Sequence, residues 1–239
     1  MMVAGLLFVL IPVLVVGGIS IYRSMGALES SAKSEALAVA KGMANMANAA
    51  VAAELKIVIQ TAQRAAVIKG AEKYSEGMAN APEIREMIAE MDGLIQKSGA
   101  DYESIFVAGV DGKVISSDDG QLDLSDRDYF QKAKDGQMTA GAVIKSKATG
   151  NTVMVFAAPV YSSSGKVVGA VVSTLNMDSI SEKVYTVVVG ARSVGLIRDE
   201  TGLLIVHPIK EHMNKSNMVH SEGMMRGAGF MIGVEVGVD

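Results

Sequence analysis

The stretch VMVFAAPVYSSSGKVVGAVVSTL (Val153–Leu175) decides the fold class. Two apolar runs, Val153–Tyr161 and Lys166–Leu175, flank Ser162–Gly165, a cluster of small turn-forming residues, and together they read as a β-hairpin. Upstream the same texture recurs: Tyr102–Val110 leads into Asp111-Gly112, a strong turn signal, and then into Lys113–Ser116. Three or more strands with one covered face make a stable sheet. A short helix is predicted over Asp128–Lys134, between the first hairpin and the third strand. The expectation is an α+β chain with antiparallel sheets.

N-terminal to the strands the pattern is helical. Pro82 suits an early helical position, and Ile84, Met87, Ile88, Met91, Leu94 and Ile95 mark the apolar face of a helix over Pro82–Lys97. From about Ser24 to Lys69 no strong breaker occurs. Leu37, Ala40, Ala44, Ala47, Val51, Leu55, Val58, Ala62 and Ala66 recur at steps of three and four, which is one face of a helix. Such a helix would run on the order of 60 Å, a length suited to a stalk or dimerisation element. Before it, Met1–Tyr22 carries no charged side chain and meets the roughly 20 apolar residues a membrane span needs. A cleaved signal peptide fits less well, because nothing basic precedes the run and no A-x-A site follows. Arg23 and Lys33 come after the span, but flanking charge alone does not orient a long translocated domain.

Downstream, part of the pattern repeats. SIFVAGVDGKVIS (Ser104–Ser116) and SVGLIRDETGLLIVH (Ser193–His207) each combine an apolar strand, an Asp-containing turn with Gly, and a second apolar strand. Their offset of about 90 residues predicts two related modules in tandem. The expected organisation is a transmembrane helix over 1–23, a long helix over 24–75, one module over 76–185, and a second, partial module over 186–239. The output region is expected to lie outside this sequence.

Composition narrows the functional classes. A net charge of −4 leaves no basic footprint for nucleic acid. Without Cys there are no disulfides, thiolate metal sites or Cys nucleophile. No G-x-S-x-G elbow, Walker loop or dinucleotide fingerprint occurs, so no catalytic residue, no cofactor and no enzymatic activity are expected. Asp118, Asp119, Asp123, Asp126 and Asp128 do not have the spacing of a calcium-binding EF-hand loop. His207, His212 and His220 do not match a helical zinc motif, and no metal is assigned.

LSDRDYFQKAKDG (Leu124–Gly136), followed by ATGNTVMVFAAPVYSSSGKVVGAVV (Ala148–Val172), resembles the membrane-distal module of a double Cache domain. VGLIRDETGLLIVHPIKEHMNKSN (Val194–Asn217) is similar to the membrane-proximal module. The resemblance implies two stacked PAS-like modules, a periplasmic or extracellular sensor anchored in the inner membrane, and action as a homodimer. It also implies the sensing part of a methyl-accepting chemotaxis protein, or alternatively of a histidine kinase or diguanylate cyclase. A different class of reading is an anchored structural or adhesion protein with no small-molecule site.

The resemblance also implies a ligand site. In the family, an Arg followed two residues later by two aromatics binds the carboxylate of a small ligand, and Arg127, Tyr129 and Phe130 match that pattern. A guanidinium suits the task because it offers a planar, bidentate fork. Phe156 and Thr174 are assigned to the same pocket. The competing reading pairs Arg127 with Asp123, Asp126 or Asp128 and leaves the rings as core. Two positions depart from amino-acid-binding members: Leu122 replaces an aromatic, and Thr174, or Asn176 in a shifted register, replaces the Asp that holds an ammonium. A small organic acid is therefore expected in preference to an α-amino acid. Lys145 and Lys147 would favour an anion if either points inward.

Overall fold

The computed structural model describes residues 2–98, 101–116, 122–177, 193–199, 204–206, 221–226 and 230–236. The chain opens with α1 (Met2–Ala62), a helix of 61 residues and thus about 90 Å long. Ala44, Val51, Val58 and Ala62, all on the expected stripe, are buried, whereas Leu37 is exposed. The helix does not continue to Lys69. It breaks at Gln63–Arg64, where Arg64 adopts an extended backbone, and α2 (Ala65–Ser75) follows. The break lets α2 pack on α3 (Pro82–Ser98), where a Cβ on Gly70 would come within 2.7 Å of the Met87 Cβ. Arg64 also pairs with Glu90 of α3 at 2.5 Å. The predicted face of α3 is the one used: Ile84, Met87 and Met91 are buried, and Ile88, Leu94 and Ile95 pack beside them.

Next come β1 (Tyr102–Gly109), β2 (Val114–Ile115), α4 (Asp128–Lys134), β3 (Thr139–Lys145), β4 (Thr152–Tyr161) and β5 (Val167–Asn176). These five strands form one antiparallel sheet in the order β2-β1-β5-β4-β3. Its two central strands are apolar almost throughout because both faces are covered. Met154, Phe156, Ala158, Val160, Val168 and Val171 face α1–α3. Val153, Val155, Ala157, Ala170 and Val172 face α4. Period two along a strand produces this division. Pro159 is tolerated inside β4 because β3 begins at Thr139, opposite Ala157, so the last residues of β4 have no β3 neighbour.

Both turns at one end of the sheet are pinned to α2. Glu72 accepts hydrogen bonds from the Ser163 amide (2.6 Å) and hydroxyl (3.0 Å), and these hold its carboxyl below the ordinary carboxylate range. Tyr74 donates to Asp111 at 3.2 Å, with its ring against Gly109, where a side chain would collide with it.

A second antiparallel sheet contains β6 (Ser193–Asp199), β7 (Leu204–Val206), β8 (Ser221–Arg226) and β9 (Phe230–Val236) in the order β7-β6-β9-β8. The β6–β7 pair is the hairpin expected from the repeat, and α1 also contacts β8 and β9. Among the described residues no helix is long and apolar enough to cross a membrane. The side chains of residues 1–14, most of the expected span, lie outside the described set, as do Asp118, Asp119, His207, His212 and His220.

Candidate functional site

The α4 face of the first sheet is organised from the β1–β2 turn outward. Gly112, at φ +87°, turns the chain back, and its carbonyl accepts from the Leu124 amide at 2.8 Å. The Leu124 carbonyl in turn accepts from the Arg127 amide at 2.9 Å, and Arg127 then occupies the N-cap position of α4. Tyr129, Phe130 and Ala133 are buried against Ala108, Leu124, Val153 and Val155.

Arg127 pairs with none of its neighbouring aspartates through a hydrogen bond. Its Nη2 donates to the Lys145 carbonyl at 3.2 Å. Its Nε is buried and has no hydrogen-bond partner among the described residues. Leaving a buried donor unpaired costs about 1–3 kcal/mol, more for a charged group, so an acceptor placed at this Nε would be stabilising. Asp126 pairs instead with Lys147 at 2.5 Å, and Asp123 accepts from the Ser125 amide at 2.8 Å. Burial pushes the Tyr129 hydroxyl above its ordinary pKa, and the nearby Arg127 charge opposes that shift.

The two lysines considered for anion binding are engaged elsewhere. Lys145 donates to the Thr152 hydroxyl at 2.9 Å, and Lys147 binds Asp126 and the Asp123 carbonyl. Thr174 lies on the α4 face, level with Val155, and its hydroxyl shares a 2.7 Å hydrogen bond with Ser104. Phe156 requires a correction. It belongs to the core facing α1–α3, so Val155 and not Phe156 faces α4. Arg127, Tyr129, Phe130 and Thr174 thus share a face, and Phe156 lies behind the sheet.

Three residues that sequence reasoning missed join this region. Ser104 is polar within an apolar strand, and only the β1–β5 register shows that it faces Thr174. Thr139 sits opposite Ala157, and its hydroxyl is buried without a partner among the described residues. Glu103 accepts hydrogen bonds from the hydroxyls of Ser146 and Thr149, in the turn between β3 and β4. Among the described residues no cluster of acidic or His side chains is arranged to hold a metal ion. Two open depressions of about 410 and 480 Å³ share Lys73, Pro82 and Glu83, and neither is lined by an α4 residue.

Residues 24–235 match the Cache domain family. No curated protein sequence matches the chain. Among solved structures, the ligand-binding domain of the Pseudomonas fluorescens chemoreceptor CtaA, in complex with L-serine, is similar at a TM-score of 0.66 and 13% identity. That match covers 87% of this chain and 98% of the CtaA domain. The ligand-binding domain of the Pseudomonas aeruginosa PAO1 amino-acid chemoreceptor PctC, in complex with GABA, gives 0.62 at 11% identity, covering 83% and 96%. The sensor domain of the V. cholerae histidine kinase DctB gives 0.62 at 11% identity, covering 91% and 99%. At these identities the likeness is one of fold.

Proposed function

Because the chain belongs to the Cache domain family, we propose that it is the extracytoplasmic sensing part of a membrane chemoreceptor, without enzymatic activity of its own. Its ligand is a small carboxylate-bearing molecule, bound on the α4 face at Arg127. The observation that carries this reading is the buried Arg127 Nε, which has no partner among the described residues, beside an Nη2 that donates to a neutral carbonyl. A bound carboxylate supplies the missing acceptor and the missing negative charge in one group. CtaA and PctC were solved with L-serine and GABA, and both of those ligands carry a carboxylate. They also carry an amine, whereas Thr174 offers a hydroxyl already bonded to Ser104. An organic acid therefore fits this face better than an α-amino acid.

The uncharged run Met1–Tyr22 is assigned as the membrane anchor, and Val15, Val16, Ile19, Ile21 and Tyr22 are exposed apolar side chains on its helix. The same helix is assigned as the dimer contact. A second reading, the sensor of a histidine kinase, is favoured by the likeness to DctB. The sequence of the output region would decide between the two.

The test is a thermal-stability titration against a panel of small organic acids. A ligand at 100 times its dissociation constant stabilises the folded state by about 2.7 kcal/mol. Arg127→Ala should remove that shift while the fold persists, and Arg127→Lys should weaken it, because an ammonium lacks the bidentate fork. An undiminished response in Arg127→Ala overturns the assignment.

A further inference from the structure

Side chains two apart on a regular strand share a face. Along β1, Phe106 and Ala108 face α4 while Ile105 and Val107 face the helices. Ser104 follows this alternation and meets Thr174 on the α4 face. Tyr102 should then lie on the α4 face too, but it packs with the helical core and donates its hydroxyl to Glu54 of α1. The cause is a register irregularity between Tyr102 and Ser104, where β1 pairs Tyr102 with Leu175 and Ser104 with Thr174. Bulges of this kind re-aim side chains. Here three consecutive residues reach in three directions: Tyr102 to α1, Glu103 to the β3–β4 turn, and Ser104 to the α4 face.

The β3–β4 turn is itself tied to the candidate site. Its first neighbour, Lys145, gives its carbonyl to Arg127, and Lys147 binds Asp126 and the Asp123 carbonyl just ahead of α4. On the other side, Ser146 and Thr149 both donate to Glu103. A group that draws Arg127 away from Lys145 therefore pulls on the same turn that Glu103 holds.

We infer that the bulged start of β1, Tyr102–Ser104, is the switch that couples the α4 face to α1. It has two arrangements. In the one observed, the bulge keeps Tyr102 on Glu54. In the other, the strand regains its regular register, Tyr102 turns to the α4 face, and the tie to α1 is released. Register slips of one residue exchange faces in this way, and a coupling element needs two such discrete states that both sites bias. The inference rests on the proposed function only in naming the α4 face as the ligand side.

The test needs no ligand, so its failure is separable from failure of the Arg127 titration. Hydrogen exchange is measured in the full chain at two places. One is the β3–β4 turn, where the Ser146 amide donates to Asn151 and the Gly150 amide to Ser146. The other is α1 around Glu54. Tyr102→Phe leaves every contact of that turn intact, yet should speed exchange at Ser146 and Gly150 severalfold. Glu103→Gln does not touch α1, yet should speed exchange at Leu55–Ile59 severalfold. If Glu103→Gln does not fold, Thr149→Ala, which removes one hydroxyl from an exposed turn, carries the same comparison. Changes confined to the mutated contact in each variant, or no change at either place, overturn the inference.

Discussion

Phe156→Ala should cost about 3–5 kcal/mol of folding stability, read as a lowered denaturant midpoint with an unchanged slope. Phe156 is fully buried at the centre of the sheet, opposite Ser173 on one side and Ala140 on the other. Its ring fills the layer between β4 and α1–α3. Truncation leaves a cavity that neighbouring strands, hydrogen-bonded on both sides, can collapse into only partly. The same variant checks the face assignment. Because Phe156 lies behind the sheet, the fraction that remains folded should keep its response to an organic acid, whereas Arg127→Ala should lose it. A loss below about 1 kcal/mol would place the ring outside the core.

Gly112→Ala should cost about 3 kcal/mol, from left-handed strain of about 1–2 kcal/mol and overpacking of about 1–3 kcal/mol. Gly112 has φ +87°, and a Cβ there would lie 2.7 Å from the Ser125 amide nitrogen and 2.9 Å from its Cα. Both are backbone atoms, so the loop must move. That movement disturbs the 2.8 Å bond from Leu124 to the Gly112 carbonyl, and with it the seat of Arg127. A melting curve should show the lost stability, and a titration of the folded fraction should show weaker binding. Gly150→Ala is the control: φ is +78° but a Cβ meets nothing within 4 Å. Only the strain of about 1–2 kcal/mol should appear there. Equal losses in the two variants would show that contact with Ser125 contributes nothing.

What was legible in the sequence was whatever local pattern controls. The β1–β2 and β4–β5 hairpins, α3 and α4 lie within a residue or two of their predicted bounds, because turn residues and apolar period specify them. The break at Gln63–Arg64 was not legible. No Gly or Pro marks it, and it follows from the packing of α2 on α3. The face of Phe156 was hidden for a related reason: β4 is apolar on both sides, so alternation carried no signal. At the site, the motif drew attention to Arg127, but its hydrogen-bond partner is a carbonyl 18 residues away and not an adjacent aspartate. The Ser104–Thr174 and Glu103–Thr149 contacts join residues 70 and 46 positions apart, and such pairings exist only once strand register is set.

The two pins on α2 bear on where this sheet can move. Glu72 with Ser163 and Tyr74 with Asp111 fix the β4–β5 and β1–β2 turns at one end. The first residues of β1, the last of β5 and the β3–β4 turn lie at the other. A sheet clamped at one end behaves as a lever with its fulcrum there, so displacement grows toward the free end. That end is where Glu54 of α1 meets β1, so a displacement of the sheet would be largest at its contact with the helix.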